Sequence, residues 1–293
     1  MITIHLIDAL PYVFRAYFSL PTTMKSPGGQ AINAAYGYCA FLLDLLNREQ
    51  PTHIAAAFDG SLTSSFRNEI YPDYKAQREQ PDEDLRVQLE ACWQITEALG
   101  IQCYIDDRYE ADDIIGTIVA KLQRSDRRFV VLSNDKDLSQ LVDRRTTFWD
   151  YAKDRRLDPA GVKEHFGVRP NQIVDLLALM GDKVDNIPGV PGIGPKTAVA
   201  LLQEFDGLDS ILTQIDQVAS LSIRGAAGIA KKLEQFQEQA RLSKQLASIA
   251  TNAPIRASVR ALQYRGVVQS EILPLFDQLG FGRIRDRLPQ KKT

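Results

Sequence analysis

The chain has 293 residues, of which 44% are hydrophobic and 25% charged, and its 35 basic and 37 acidic side chains leave a net charge of -2. This is the composition of a soluble globular protein long enough for two domains; no apolar run is long enough to cross a membrane and no basic-then-apolar leader opens the chain, so a cytoplasmic protein is expected. Cys39, Cys92 and Cys103 form an odd set without metal spacing, and His5, His53 and His165 are scattered; a zinc site and a disulfide framework are therefore both excluded, and buried thiols in a reduced protein are expected.

Ile2 to Ile7 reads as an apolar strand ending at Asp8, and the aromatic stretch Pro11 to Phe18 as a helix containing Arg15. After a turn at Pro27-Gly28-Gly29, apolar residues recur at helical spacing from Ala31 to Arg48 (Ala35, Tyr38, Leu42, Leu45, Leu46), and Pro51 ends that helix. His53 to Phe58 is a second strand, ending at Asp59. Residues 60–81 are polar, weakly periodic and long for a connection; Arg67, Lys75 and Arg78 alternate with Phe66, Tyr71 and Tyr74. Such a segment is either a solvated insertion or a functional loop. A helix from Asp82 to Leu99 closes at Gly100, a third strand runs from Ile101 to Ile105, and a helix opens at Tyr109-Glu110-Ala111-Asp112-Asp113 and runs to Gln123. Phe129 to Leu132 is a fourth strand, Ser133-Asn134-Asp135-Lys136-Asp137 leads into a short helix to Val142, and Thr146 to Tyr151 is a fifth strand. Strands alternating with helices predict a mainly parallel sheet covered on both faces. Beyond about residue 168 the pattern becomes all-helical, with helices at Pro170–Met180, Lys196–Phe205, Leu208–Ile215 and from Ala227 into the 240s.

Ligands of an open parallel sheet bind outside the carboxyl ends of its strands. Asp8, Asp59, Glu110, Asp112, Asp113, Asp135 and Asp137 all fall at that end. Acids favour the first turn of a helix, which explains any one of them but not all seven at one edge. Asp182 and Asp185, three apart in the helical half, complete the set if that half packs on the same edge. All-oxygen ligands suit magnesium or manganese, and a pair of such ions suits hydrolysis of a phosphate ester. With these nine set aside from the 37 acids, 28 remain against 35 bases, so the rest of the surface is compatible with a phosphate-bearing partner.

Gly189-Val190-Pro191-Gly192-Ile193-Gly194-Pro195-Lys196-Thr197 lacks the adjacent Gly-Lys of a nucleotide loop and follows no strand. Helix, glycine-hydrophobic-glycine turn and helix instead predict a helix-hairpin-helix at about 181–205. Its backbone amides, with Lys196, would face a phosphate.

These motifs together resemble the 5' nuclease family, which comprises flap endonucleases and the 5'-3' exonuclease domain of bacterial DNA polymerase I. The resemblance rests on Asp8 to Arg15, Phe58-Asp59, Phe66-Arg67, Tyr74-Lys75 with Arg78, YEADD at 109–113, DKDL at 135–138, GDKVDNIPGV at 181–190 and GIGPKTA at 192–198. It covers nearly the whole chain, which looks like a stand-alone member. It implies a resolvase-like (PIN-like) α/β core over residues 1–168, with an arch at about 60–81, and a C-terminal all-helical DNA-binding domain over 169–293. It also implies one divalent ion among Asp8, Asp59, Glu110, Asp112 and Asp113, and a second among Asp135, Asp137, Asp182 and Asp185. Lys75, Arg78 and Arg15 would act on the scissile phosphate. Arg67, Tyr74 and the hairpin residues Gly192, Ile193, Gly194, Pro195, Lys196 and Thr197 would contact DNA. Carbonyls of Leu179, Met180, Pro188, Val190 and Ile193 would hold a potassium ion. Ala9 departs from the family, which usually has glycine after the first aspartate.

The resulting expectation is a structure-specific 5'-3' exonuclease or flap endonuclease, a monomer acting on flapped, nicked or branched DNA with two magnesium or manganese ions and no required protein partner. A branched-DNA-binding protein with a vestigial acidic pocket, and a magnesium phosphotransferase on a similar sheet, are the rivals.

Overall fold

A computed structural model describes residues 1–61 and 63–289. Its sheet contains β1 (Ile2–Asp8), β2 (His53–Asp59), β3 (Gln102–Asp106), β4 (Arg127–Leu132), β5 (Thr146–Asp150) and β6 (Arg155–Leu157) in the spatial order β3-β2-β1-β4-β5-β6. All neighbours are parallel except β5 and β6. The short antiparallel β6, absent from the sequence expectation, caps the edge; three residues, two of them arginine, carry too little apolar alternation to signal a strand.

The strands alternate between two cores, as a period of two requires. Ile4, Leu6, Phe129 and Val131 face one side, together with Ala55 and Ala57. Ile7, Ile54, Phe58, Val130 and Leu132 face the other. The second face is covered by α1 (Leu10–Ser19), α2 (Asn33–Glu49) and α4 (Glu83–Ala98), with the short α3 (Phe66–Ile70) lying between β2 and α4 in the chain. The first face carries α5 (Ala111–Leu122) and, continuous with it, the helical half of the chain: α6 (Pro159–Phe166), α7 (Ile173–Met180), α8 (Pro195–Glu204), α9 (Leu208–Thr213), α10 (Ile215–Ala219), α11 (Ala226–Gln235) and α12 (Gln237–Ala247). The helix expected from Ala227 into the 240s is broken in two at Phe236, whose backbone leaves the helical region.

The chain then turns back, which the expected boundary at residue 168 did not anticipate. Ile54 N–H donates to the Leu262 carbonyl at 2.8 Å, Tyr264 N–H to Thr52 at 2.9 Å and Val268 N–H to Ala98 at 2.9 Å. The last long helix, α13 (Gln269–Leu279), buries Ile272 and Phe276 among α2 and α4 residues of the second core. The C-terminal segment around residues 262–284 therefore packs on the second core of the sheet. There α13 packs against α4, beside α2. All three cysteines are buried and unbonded to one another, as expected. Among the described residues no helix is long and apolar enough to cross a membrane.

Candidate active site

Parallel strands of similar length, in the register that pairs Asp8 with Ala57 and Asp59 with Asp106, bring their carboxyl ends to one edge. Above that edge lies a pocket of about 320 Å³ whose lining includes Asp8, Asp59, Glu110, Asp112 and Asp135. Arg15, Lys75 and Arg78 line the same pocket. Three of the acids are held by hydrogen bonds from neighbouring elements. Asp8 accepts a 2.7 Å bond from Ser133 Oγ, and Asp59 a 2.6 Å bond from the Ala111 amide at the start of α5. Asp135 accepts from the Asp137 amide at 2.9 Å.

The electrostatics are those of crowded, dehydrated anions. Burial, and next Asp59, raise the Asp8 carboxyl well above the usual carboxylate range. Burial, then Asp8, Asp135 and Asp59, do the same to Asp112. Burial and Glu110 push Asp59 up to about 6, and burial and Asp135 push Asp137 up to about 8. Glu110 alone of these moves down: burial opposes its charge, but Lys75 and Arg67 outweigh it.

Asp137, Asp182 and Asp185 adjoin this group. Lys136 Nζ bonds Asp182 and lies 3.4 Å from Asp137 Oδ1, an atom that is buried without a hydrogen-bond partner. Arg78 bonds Asp185 at 2.7 Å, and Lys75 Nζ sits 2.7 Å from Glu110 and 3.8 Å from Asp185. The pocket thus interleaves carboxylates with cations. Among the described residues no three side chains close up into a ready ligand set, because the ammonium and guanidinium groups lie between them. The donor set nevertheless fits hard divalent cations: it is all oxygen, crowding and burial raise Asp8, Asp59, Asp112, Asp135 and Asp137, and one buried carboxylate oxygen, Oδ1 of Asp137, lacks a hydrogen-bond partner.

Three expected site residues sit elsewhere in the chemistry. Asp113 is fully buried and spends both oxygens on Arg67, at 2.8 Å each, and on the amides of Ala250 and Glu110. In the structure it is the partner of Arg67, with both oxygens engaged. Arg67 is correspondingly 3% exposed, its guanidinium also bound by the Leu246 and Ser248 carbonyls; it cannot reach DNA. Tyr74 is 2% exposed and donates to Glu110 at 3.1 Å, so it offers no face for a base. The physical reason is common to all three. Residues 63–81 contain the short α3 and a run of turns laid against the 181–190 loop. Gln77 Nε2 donates to the Val184 carbonyl at 2.8 Å, and Asn186 Nδ2 to the Asp73 carbonyl at 2.7 Å.

Lys75 is held there with φ at 55°, in the left-handed region, its amide bonded to the Asp185 carbonyl. Gly181 and Gly189, both at positive φ, let the acidic loop fold back on itself; a Cβ on Gly181 would meet the Ile187 carbonyl oxygen at 2.6 Å. Ala9 takes ordinary helical angles (φ -76°), so its Cβ is no handicap in a position where the family usually has glycine.

The helix-hairpin-helix is formed by α7, the turn and α8. Gly194 caps α8 and Pro195 opens it, leaving Gly192, Pro195 and Lys196 exposed while Ile193 is buried and Thr197 and Gly194 are half-buried. Around the turn, the Leu179 and Val190 carbonyls already accept from the Val190 and Ile193 amides, each keeping one lone pair. Sequence reasoning missed Ser133, Phe14, Phe18 and Lys136. Ser133 carried a signal, since it follows β4 at the edge where the acids gather. The aromatics did not, because helical aromatics usually mean core, yet Phe14 and Phe18 line the pocket.

The model of the 5'-3' exonuclease N-terminal resolvase-like domain matches residues 3–167, and that of the 5'-3' exonuclease C-terminal SAM fold matches residues 168–270. The chain belongs to the 5'-3' exonuclease family. Among the relatives of this chain, DNA polymerase I of Pseudomonas aeruginosa is 42% identical over 285 residues, covering 97% of the chain and 31% of the relative. DNA polymerase I of Bacillus subtilis is 39% identical over 287 residues, again 97% of the chain and 32% of the relative. The chain thus spans about a third of the length of these relatives. Among solved structures, the bacteriophage T5 D15 flap endonuclease in a complex with DNA and metal ions superposes with a TM-score of 0.66 at 21% identity, covering 95% of this chain and 99% of that one. Its likeness establishes the fold.

Proposed function

We propose that this family member is a metal-dependent, structure-specific 5' nuclease that hydrolyses phosphodiester bonds in flapped, nicked or branched DNA and leaves a 5'-phosphate. The observation that carries it is one pocket in which five acids from four strand ends meet Arg15, Lys75 and Arg78. Asp8, Asp59, Glu110, Asp112 and Asp135 would hold one divalent ion, and Asp137, Asp182 and Asp185, with Asp135 between the groups, a second. Bound there, magnesium or manganese supplies an activated water and neutralises the departing oxygen.

The rest is work for the chain's own side chains. Lys75 and Arg78 lie against Glu110 and Asp185 and can exchange a carboxylate for a phosphate oxygen without leaving the pocket. Arg15 adds a third cation at the rim. The 60–81 segment, packed on the acidic loop, keeps bulk water from the Glu110 side. The exposed turn at Gly192, with Lys196 and the α8 amides, suits duplex backbone away from the cut. A potassium ion on the free lone pairs of the hairpin carbonyls would strengthen that grip.

The test uses a labelled 5'-flap duplex. Asp112→Ala is expected to abolish cleavage in magnesium and in manganese while flap binding persists. Normal cleavage by that variant overturns the metal assignment; absence of cleavage by the unmodified chain in both metals, with binding retained, favours a DNA-binding protein instead.

A further inference from the structure

A second groove, of about 670 Å³, lies between α4 and the β2–β3 edge of the sheet, and nothing in the proposed reaction uses it. Its floor is apolar: Phe58, Val87, Trp93 and Ile105. Ile105 is 50% exposed and Val87 37%, and the half-buried Trp93 rests on Phe58 with ring centroids 5.2 Å apart. Apolar surface left open beside a charged centre marks a binding surface, and the volume is that of a ligand pocket, about 300–1,000 Å³.

Two features identify the occupant. The groove is continuous with the catalytic pocket, because Leu10 and Asp59 line both. Its opposite wall is made by both feet of the 60–81 segment, Gly60 and Ser61 at one end and Gln80 and Pro81 at the other, while the middle of that segment carries Lys75 and Arg78. A polymer that places a phosphate at Lys75 and Arg78 therefore has its neighbouring units at the groove. The described lining holds one cation, Arg86, which is already paired with Glu83 at 2.7 Å, and one further acid, Glu90. That lining is poor for phosphates and good for flat, uncharged faces.

We propose that this groove receives unpaired nucleobases of the strand leaving the catalytic pocket, one base stacking on Trp93 with Val87 and Ile105 flanking it. The inference rests on the nuclease reading for the position of the phosphate, and the experiment separates the two. Binding is measured on the full chain in EDTA, where no cleavage is needed. The chain has two tryptophans, and Trp149 is fully buried, so emission quenchable by acrylamide comes from Trp93. A duplex with an unpaired 5' tail is expected to shield that emission, whereas a nicked duplex without a tail, or one with an abasic tail, leaves it accessible.

Trp93→Ala is expected to weaken binding of the tailed duplex by roughly 5- to 100-fold relative to the nicked one, the range of one base–aromatic stack. Trp93→Phe should restore most of the loss. Val87→Ser with Ile105→Ser, at exposed positions, should shift the ratio the same way, and serves if Trp93→Ala does not fold. Equal losses on tailed and nicked duplexes overturn the proposal, as do abasic tails binding as tightly as natural ones. Shielding that depends on protein concentration without DNA also overturns it, since a second copy would then be the occupant. Base sensing by Trp93 in a chain that never cleaves would sink the nuclease reading and leave the groove standing; cleavage with Trp93 indifferent to tails would do the reverse.

Discussion

Lys75 combines a left-handed backbone with an amine enclosed between Glu110 and Asp185, a strained arrangement of the kind that collects at functional sites. Its removal as Lys75→Met is expected to slow single-turnover flap cleavage by about 10²–10³-fold, as loss of one charge-stabilising donor does, while manganese affinity measured by paramagnetic resonance changes far less. A comparable loss of metal affinity would make Lys75 a scaffold for the acids. Arg67 gives the opposite case. Its buried pair with Asp113 also ties α3 to the end of α12 through the Leu246 and Ser248 carbonyls. Breaking such a pair costs about 3–5 kcal/mol, so Arg67→Ala should lower the melting temperature on the order of 10 °C, with DNA affinity of the remaining folded fraction unchanged. Both residues stand in a basic, aromatic stretch and look alike in sequence. Both are buried, and their partners separate them: Arg67 is held by Asp113 and the carbonyls of Leu246 and Ser248, Lys75 by the pocket carboxylates Glu110 and Asp185.

At the scale of elements, the acidic loop between α7 and α8 depends on backbone packed against backbone. Gly189 at φ 60° abuts Gly181, and a side chain there is both strained and obstructed. Gly189→Ala is expected to displace Asp182 and Asp185 and loosen the 60–81 turns docked on them. Hydrogen exchange should then show faster opening of residues 72–78 together with 182–187; protection confined to either segment alone would separate them. Most strands and helices were legible because their apolar periods are long and their stops are glycine or proline. The 60–81 segment was not. Its short α3 and turns have no period, and their fold comes from bonds to the Val184 carbonyl and from the Asn186 amide across the site.

For the whole molecule, charge and cover are shared between parts of the chain. In EDTA, acids whose protons are held too tightly when folded favour the folded state at low pH. Their contribution is complete below the unfolded value of about 4 and is lost as pH rises through the folded value, about 6 for Asp59 and about 8 for Asp137. Burial lowers the His5 value, so its contribution has the opposite sign and is lost only as pH falls below about 6.5. Between pH 7 and 9 the carboxylates dominate: the melting temperature should fall across that window in EDTA, fall less in Asp137→Asn, and recover with magnesium, which displaces the protons. A profile that is flat, or unchanged by that substitution, would contradict the crowding. Truncation after residue 250 should likewise expose the second core, because Ile272, Phe276 and Phe281 are essentially fully buried in it; loss of cooperative melting checks this. The sequence by itself determined the parallel sheet, its acid-bearing edge and the helix-hairpin-helix, since each follows from local period, strand ends and turn chemistry. Tertiary structure alone decided which acids line the pocket, why Asp113 and Arg67 are spent on each other and Tyr74 is enclosed against Glu110, and that the C-terminal segment returns to cover α4. Those choices turn on contacts between residues far apart in the chain, 36 for Tyr74 with Glu110 and 179 for Arg67 with Leu246, and no local pattern encodes which partner wins.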